Sequence, residues 1–482
     1  MMRKLLALIL SLAFAVTALG GCAPAETPEH SPITFTEEEL SRETKLVVDP
    51  SVTGTITVRY FFWVTEDPNF MYNAAAEVFR EYYPNAEVIF EPVNSLAVPE
   101  QEYYTNLATE LMAGSGPDVA FQYLEPCRMR AVIDPYKMMK AGAFLDLTDY
   151  FRADETYNPS DFNQTVLQAG QWDGRQYLIP ADYSIPLFMT TRKMADEVGF
   201  HPENCTDYIR TLEEMISITE ENPLSLSQRG QIYKCATPFY APLFIGSHWS
   251  DHQSGTIHID TPEMKKFYEL IKEYLLPYRT SRQNDVIGPG TLYSTALTSP
   301  SAYFVDANRA SYEGLFSNMQ LIEQAGDTPI LLPWRTFDGK VEAYCNQFIG
   351  VNRNTKNPEA AYHFIRTWLS QEYLMKEGSW GNNGYTPLNY KAIDLYLQKA
   401  REPAYMYYSE MGGEGQVVEL KGLSQESAEK YLALLDEIDY CTLDNPTIYM
   451  VWEAMEDYYS GARSYESCIS EVQSKLEIYL TE

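Results

Sequence analysis

The stretch Gln171-Trp172-Asp173-Gly174-Arg175-Gln176-Tyr177-Leu178-Ile179-Pro180-Ala181-Asp182-Tyr183 decides the fold. Asp173-Gly174 between two strand-forming halves predicts a hairpin, because the tight turn needs positive φ and Gly supplies it without steric cost. Tyr177 to Ile179 reads as a short apolar strand that stops at Pro180, which has no N–H for a sheet ladder. Asp182 and Tyr183 come next, then Pro186 and a new apolar run, Leu187-Phe188-Met189. A strand that leaves one sheet, passes through Pro-Ala-Asp-Tyr and enters another is a crossing between two lobes. A ligand is expected at that crossing.

The rest of the chain is long enough for such a plan. Its 482 residues accommodate two or three domains, and 45% hydrophobic with 21% charged residues is a globular composition. The net charge of −31 repels phosphate backbones and argues against nucleic acid as a partner. The ordinary consequence of that charge is a well-solvated surface. With 37 Tyr the chain can offer flat amphipathic rings to a polar ligand, although most of them will be packed.

The N-terminus directs export. Arg3-Lys4 precedes the apolar run Leu5 to Ala18, which is short for a membrane span, and Leu19-Gly20-Gly21-Cys22 follows. Two small residues before Cys resemble a lipobox, the site where bacterial lipoproteins are cut and lipidated. Residues 1–21 are thus expected to be a lipoprotein signal peptide, with Cys22 the lipid anchor. Residues 22–53, rich in Pro, Glu, Ser and Thr, read as a flexible stalk. The six later cysteines, Cys127, Cys205, Cys235, Cys345, Cys441 and Cys468, include no C-x-x-C pair, so a zinc or redox motif is unsupported.

After the stalk the pattern alternates. Strands are expected at Thr55 to Trp63, Ala86 to Phe90 and Val119 to Tyr123, with helices at Ala74 to Tyr83 and Glu100 to Ala113 between them. This is a parallel α/β layout, and such sheets bind ligands beyond their strand C-terminal ends. Trp63, Glu66, Gln122, Tyr123 and Glu125 lie at or just past those ends.

These residues carry a resemblance. The run Phe79-Arg80-Glu81-Tyr82-Tyr83-Pro84-Asn85-Ala86-Glu87-Val88 resembles the opening of the extracellular solute-binding proteins of ABC transporters, family 1, which bind carbohydrates. Leu107 to Val119, containing Ala113-Gly114-Ser115-Gly116-Pro117-Asp118, is similar to that family's best-known signature. Leu145-Asp146-Leu147-Thr148, the Asp173 to Pro180 hairpin, Asn357-Pro358-Glu359-Ala360-Ala361, the Gly381 to Pro387 loop and Gly461 to Glu466 match in order. Two places depart: Thr190-Thr191-Arg192 replaces the usual Tyr-Asn-Lys, and Pro300 to Phe304 replaces a Gly-Lys-Ala-Ala-Met strand.

The resemblance implies a two-lobed α/β fold of the periplasmic-binding-protein type (type II) with a ligand cleft between the lobes. Lobe one would be 54–181 and 344–395, and lobe two 182–343 and 396–482. Asn357 is expected to cap the helix that opens with Pro358.

Sugars present apolar C–H faces and a rim of hydroxyls, so a site needs aromatics together with carboxylates, amides or Arg. Besides the residues named above, the candidates are Asp182 and Tyr183 on the crossing, Asp306, Asn308 and Arg309 after a lobe-two strand, and Trp334, Trp380 and Tyr385. Packing or solvated loops are the competing roles for each. Asp118 is expected to hold a local turn, and Trp368 and Trp452 to lie in the core.

His248 and His252 have chelating spacing, but Gly246 and Gly255 suggest a loop. No nucleophile elbow, P-loop or H-E-x-x-H is visible. The resemblance therefore implies a monomeric, lipid-anchored, non-enzymatic binding subunit without cofactor, on the outer face of a bacterial membrane, delivering a carbohydrate to ABC permease subunits. The alternatives left open are a surface glycan-degrading enzyme and a binding lipoprotein for peptides or another polar solute.

Overall fold

The computed structural model describes residues 33, 35–62, 69–123, 134–223, 250–275, 305–306, 312–377, 379, 386–408, 416–443 and 445–481, with the backbone alone at Tyr123, Leu275, Val305, Asp306, Tyr312, Glu313, Tyr407, Tyr408, Gln416 and Asn445. Phe35 to Glu482 form one contact unit. Its first half follows the expected alternation. Strand β1 (Thr53–Phe62) leads into helix α1 (Asn69–Tyr82), which buries Met71, Ala75, Val78 and Phe79, a stripe at helical spacing. Strand β2 (Asn85–Asn94) then pairs in parallel with β1 from Thr53↔Asn85 to Phe62↔Asn94. Helix α2 (Glu100–Met112) buries Tyr103, Tyr104, Leu107 and Leu111 and delivers β3 (Val119–Tyr123) to the other edge of β1.

Helix α3 (Pro135–Lys140) follows, and then the hairpin β4 (Gln171–Trp172) and β5 (Arg175–Gln176). Its two turn residues, Asp173 at φ 50° and Gly174 at φ 68°, both take the left-handed conformation that such a turn requires. Strand β6 (Leu178–Pro180) belongs to the first sheet, while β7 (Leu187–Thr191) belongs to a second. Helix α4 (Tyr208–Glu221) is followed by a short hairpin of β8 (Ser250–Asp251) and β9 (Thr256–Ile257). Strands β10 (Val305–Asp306) and β11 (Pro329–Pro333) flank β7 antiparallel on either side, with helix α5 (Tyr312–Gln324) between them in the chain.

Strand β12 (Val341–Tyr344) runs two residues short of β13 (Gln347–Val351), which completes the first sheet in the order β2-β1-β3-β13-β6. Helix α6 (Pro358–Trp368), the hairpin β14 (Ala404–Tyr408) and β15 (Gln416–Leu420), and helix α7 (Gln425–Asp436) precede β16 (Ile438–Thr442), which pairs with β12. Helices α8 (Asn445–Tyr459) and α9 (Tyr465–Thr481) end the chain.

Among the described residues two apolar cores result. One runs from the first sheet through the strand crossings to α5 and α7, and takes Leu187 and Met189 from β7. The other takes Phe188 from the opposite face of β7 and is filled by α4, residues 259–271, α8 and α9. Trp368 lies in the first core as expected, its ring 4.5 Å from Phe121 and 5.4 Å from Tyr72. Trp452 is only half-buried.

Three local expectations differ from the structure. Asn357 does not cap α6; its Nδ2 donates to the Thr55 carbonyl at 2.7 Å, tying the helix to β1. The Asp118 carboxylate ties distant segments together rather than its own turn. It accepts the Thr57 N–H and hydroxyl at 2.8 and 3.0 Å and the Thr355 hydroxyl at 2.6 Å. Finally, the chain from residue 36 to 52, expected as the end of the stalk, is docked. Lys45 N–H donates to Thr156 O, Asp49 N–H to Tyr82 O, and Asn158 Nδ2 to the Leu40 and Arg42 carbonyls, with Leu46 and Val52 buried beneath.

Candidate functional site

The two halves are joined where β6 passes to β7 and where β12 passes to β13. These two crossings lie side by side. Ser184 and Tyr344 exchange backbone hydrogen bonds at 2.9 and 3.0 Å, and Ala181 N–H donates to Gln347 O at 2.7 Å. On its other side, the first crossing is held by Thr386, which exchanges two 3.0 Å bonds with Tyr183. Trp334 N–H donates to Pro186 O at 2.8 Å where the segment enters the second sheet. Side chains add to this: Asn346 Nδ2 donates to Ser184 Oγ at 3.0 Å, and Thr386 Oγ1 pairs with Tyr431 Oη at 3.1 Å. The segment 181–186 is therefore bonded on both flanks.

The C-terminal ends of β1 and β3 point to the same edge of the first sheet as the start of β13, since Tyr123 pairs with Gln347 and Gln122 with Phe348. Gln122 is fully buried, and neither its amide nitrogen nor its amide oxygen has a hydrogen-bond partner. Gln347, on the opposite face, donates from Nε2 to Tyr72 Oη at 3.4 Å, while its Oε1 is likewise buried without a partner. A buried amide group left unsatisfied costs about 1–3 kcal/mol, so natural chains keep such groups where a ligand or water completes them.

Asp182 is also fully buried, close enough to Cys345 and Cys441 for its charge to act on both. Burial pushes both thiols well above their ordinary pKa, helped next by Asp182 at Cys345 and by Glu342 and then Asp182 at Cys441, so they stay protonated and unreactive. The Cys345 thiol donates to the Gln347 carbonyl at 2.8 Å.

Of the sequence candidates, the structure brings Gln122 and Asp182 to the crossing. It brings Tyr183 there too, but with its side chain packed rather than open. The ring has no exposed surface, its hydroxyl accepts from Asn163 Nδ2 at 3.4 Å, and burial holds its pKa far above the ordinary tyrosine value. Trp334 is a core ring, 4.9 Å from both Phe188 and Tyr208, with 1% of its surface exposed. Its place one residue past β11 put it near the return crossing in sequence, but packing against α4 turns it inward.

The backbone of Asp306 pairs with Phe188 on β7, and that of Tyr123 with Gln347. Trp63, Glu66, Glu125, Asn308, Arg309, Trp380 and Tyr385, and Cys22, the expected lipidation site, lie outside the described residues. Sequence reasoning missed Asn346 and Gln347; the signal was the polar pair interrupting an otherwise apolar run from Ala343 to Val351.

A cavity of about 580 Å³ opens elsewhere, between residues 47–49, the end of α1 and α6. Of its lining carboxylates, the buried Asp154 is taken by Arg366, Tyr362 and Thr156, and the cavity follows the seam between the docked N-terminal segment and the first lobe. Among the described residues no cluster of His, Cys, Asp and Glu could hold a metal ion, and no helix is long and apolar enough to cross a membrane.

Solved structures share this architecture. The sugar-binding protein MalE from Xanthomonas citri superposes with a TM-score of 0.59 at 11% identity, over 89% of this chain and 98% of that one. An ABC substrate-binding protein from Listeria monocytogenes, in complex with cycloalternan, gives 0.53 at 14% identity over 89% and 99%. Maltose-bound MalE3 from T. maritima gives 0.53 at 15% over 88% and 99%. At these identities the likeness establishes the two-lobed α/β fold. A search of curated proteins found no match. Residues 79–404, however, match the family model described as bacterial extracellular solute-binding protein, a family of binding proteins rather than enzymes. That match spans more than half of the chain, including both crossings and all of the second sheet, and the chain accordingly belongs to the bacterial extracellular solute-binding proteins.

Proposed function

We propose that this protein is the substrate-binding component of an ABC importer, taking up a sugar or oligosaccharide and delivering it to permease subunits. The observation that carries the reading is the buried, unpaired amide of Gln122 at the strand ends beside two zipped interlobe crossings. An amide offers both a donor and an acceptor, which suits the hydroxyls of a sugar. The sugars named for the MalE3 and Listeria structures support the same class of ligand.

The mechanism is hinge closure about the crossings. Ligand bridges 54–181 with 344–395 on one side and 182–343 with 396–482 on the other, and favours the closed state only by the extra contacts it makes there. Gln122 and Asp182 form the floor. Trp63, Glu66, Tyr123, Glu125, Asp306, Asn308, Arg309, Trp380 and Tyr385 supply faces and rim, being carried by segments that adjoin β1, β3, β10 and Thr386. No bond of the ligand is made or broken. The protein works as a monomer, exported and held on the outer face of the membrane by lipid on Cys22.

A thermal-shift screen of the mature chain against maltotriose, mannotriose and tripeptides tests this, because a ligand that binds only the folded state raises the melting temperature. A shift with an oligosaccharide is expected. A shift with peptides alone would overturn the carbohydrate reading.

A further inference from the structure

Away from the crossings, one group of side chains joins the halves at α3. Asp134 caps α3, accepting the Lys137 N–H at 2.9 Å, and also accepts the hydroxyl of Tyr479 from the last turn of α9. Lys137 Nζ lies 4.0 Å from the centre of the Tyr479 ring. The next ring of the cluster, Tyr136, stacks on His252 at 4.3 Å with planes 25° apart, and Tyr479 stands edge-on to the same imidazole at 6.2 Å and 86°. The Tyr136 hydroxyl accepts the Leu443 N–H at 3.3 Å, where β16 gives way to α8. Tyr136 packs against the first core, whereas α9 and the β9 strand beside His252 belong with the second.

Among the described residues no strand pairing links α3 to α9 or to the β8–β9 hairpin. The contact includes a ring stack, a cation over a ring, a hydroxyl bond to a carboxylate and the Tyr136 bond to the Leu443 N–H. Such a contact forms or parts as a unit when two bodies rotate, without breaking any backbone ladder. We propose that Asp134, Tyr136, Lys137, His252 and Tyr479 form an interlobe latch that sets the resting angle between the lobes and so tunes the ease of closure. The latch rests on the hinge reading given above, but it is defined by this chain's own contacts and needs no ligand. An aromatic pair and a cation–π contact together bias a two-state equilibrium by about tenfold.

Small-angle scattering of the ligand-free mature chain tests the latch directly. Tyr136→Ala and Tyr479→Ala are each expected to change the radius of gyration and the distance distribution relative to wild type. Tyr405→Ala, which removes a ring 76% exposed on the β14–β15 hairpin, is expected to leave both unchanged. Should either alanine variant fail to fold, Lys137→Gln and Tyr479→Phe, which remove one contact each, are expected to give smaller shifts in the same direction. Scattering identical to wild type in all the folded latch variants would overturn the proposal. Because no ligand is present, a negative sugar screen leaves this result intact, and unchanged scattering leaves the sugar reading intact.

Discussion

Ser184 and Tyr344 each donate a backbone N–H to the other's carbonyl, at 2.9 and 3.0 Å, although 160 residues separate them in the chain. This pair joins the two crossings into one ribbon, which under the proposed hinge closure would give the lobes a single axis. Asn346 reinforces it through its buried bond to Ser184 Oγ. Asn346→Ala removes that bond and leaves the serine hydroxyl without its donor, and is expected to lower stability by about 1 kcal/mol. A urea melt would show this as a lower midpoint at unchanged slope; an unchanged midpoint would remove Asn346 from the hinge.

Gly170 lets the hairpin at 171–176 fold back on β6. A Cβ there would stand 1.8 Å from the Leu178 carbonyl oxygen, a backbone atom that cannot swing aside. Gly170→Ala is therefore expected to destabilise by about 3 kcal/mol or more. Gly199→Ala serves as the comparison, since φ is +72° there but the space is open; its cost is expected to be about 1 kcal/mol. Comparable melting temperatures for the two variants would contradict the close approach.

The buried Arg366–Asp154 pair, at 2.7 Å, anchors α6 beside the docked N-terminal segment. Burial alone would raise the Asp154 pKa, but Arg366 and the hydroxyls of Thr156 and Tyr362 outweigh it and hold the carboxyl below its ordinary 3.8. With a folded pKa below the unfolded one, the pair's stability is present above about pH 4 and is lost as pH falls through the lower folded value. Asp154→Asn leaves a buried guanidinium unneutralised and is expected to cost about 3–5 kcal/mol at pH 7. The gap between wild type and variant should close in acid. A gap independent of pH between 7 and 2.5 would show that the charge is not what matters.

Much of this architecture was legible in the residues. The alternation from Thr53 to Tyr123 and the Asp173-Gly174 turn follow local rules, and the structure places those elements within a few residues of the expected bounds. What could not be read were contacts made by distant residues. Tyr183 was expected to face ligand, but Thr386 pairs with its backbone and Asn163 meets its hydroxyl, and neither is near it in sequence. The aromatic character of Trp334 suited a sugar face equally well; only α4, bringing Tyr208 against it, decides that it is core. The docking of residues 36–52 could not be read for the same reason, since Thr156 and Asn158 hold that segment from more than 100 residues away.

Gln122 and Trp334 separate ligand binding from folding. Replacing the unpaired amide by an apolar side chain of similar size, Gln122→Leu, is expected to raise ligand-free stability by about 1 kcal/mol while weakening oligosaccharide binding at least about tenfold. Trp334→Ala is expected to do the reverse, costing about 3–5 kcal/mol with affinity unchanged in the protein that remains folded. Thermal unfolding with and without maltotriose distinguishes the two outcomes.

Titration calorimetry of the mature chain tests the central claim most directly, with maltotriose, mannotriose and a tripeptide as titrants against wild type and Gln122→Leu. The account predicts saturable binding of one ligand per chain for at least one of the two oligosaccharides, weakened in Gln122→Leu, and no heat with the tripeptide. Saturable binding of the tripeptide alone, or oligosaccharide binding that Gln122→Leu leaves untouched, would contradict it.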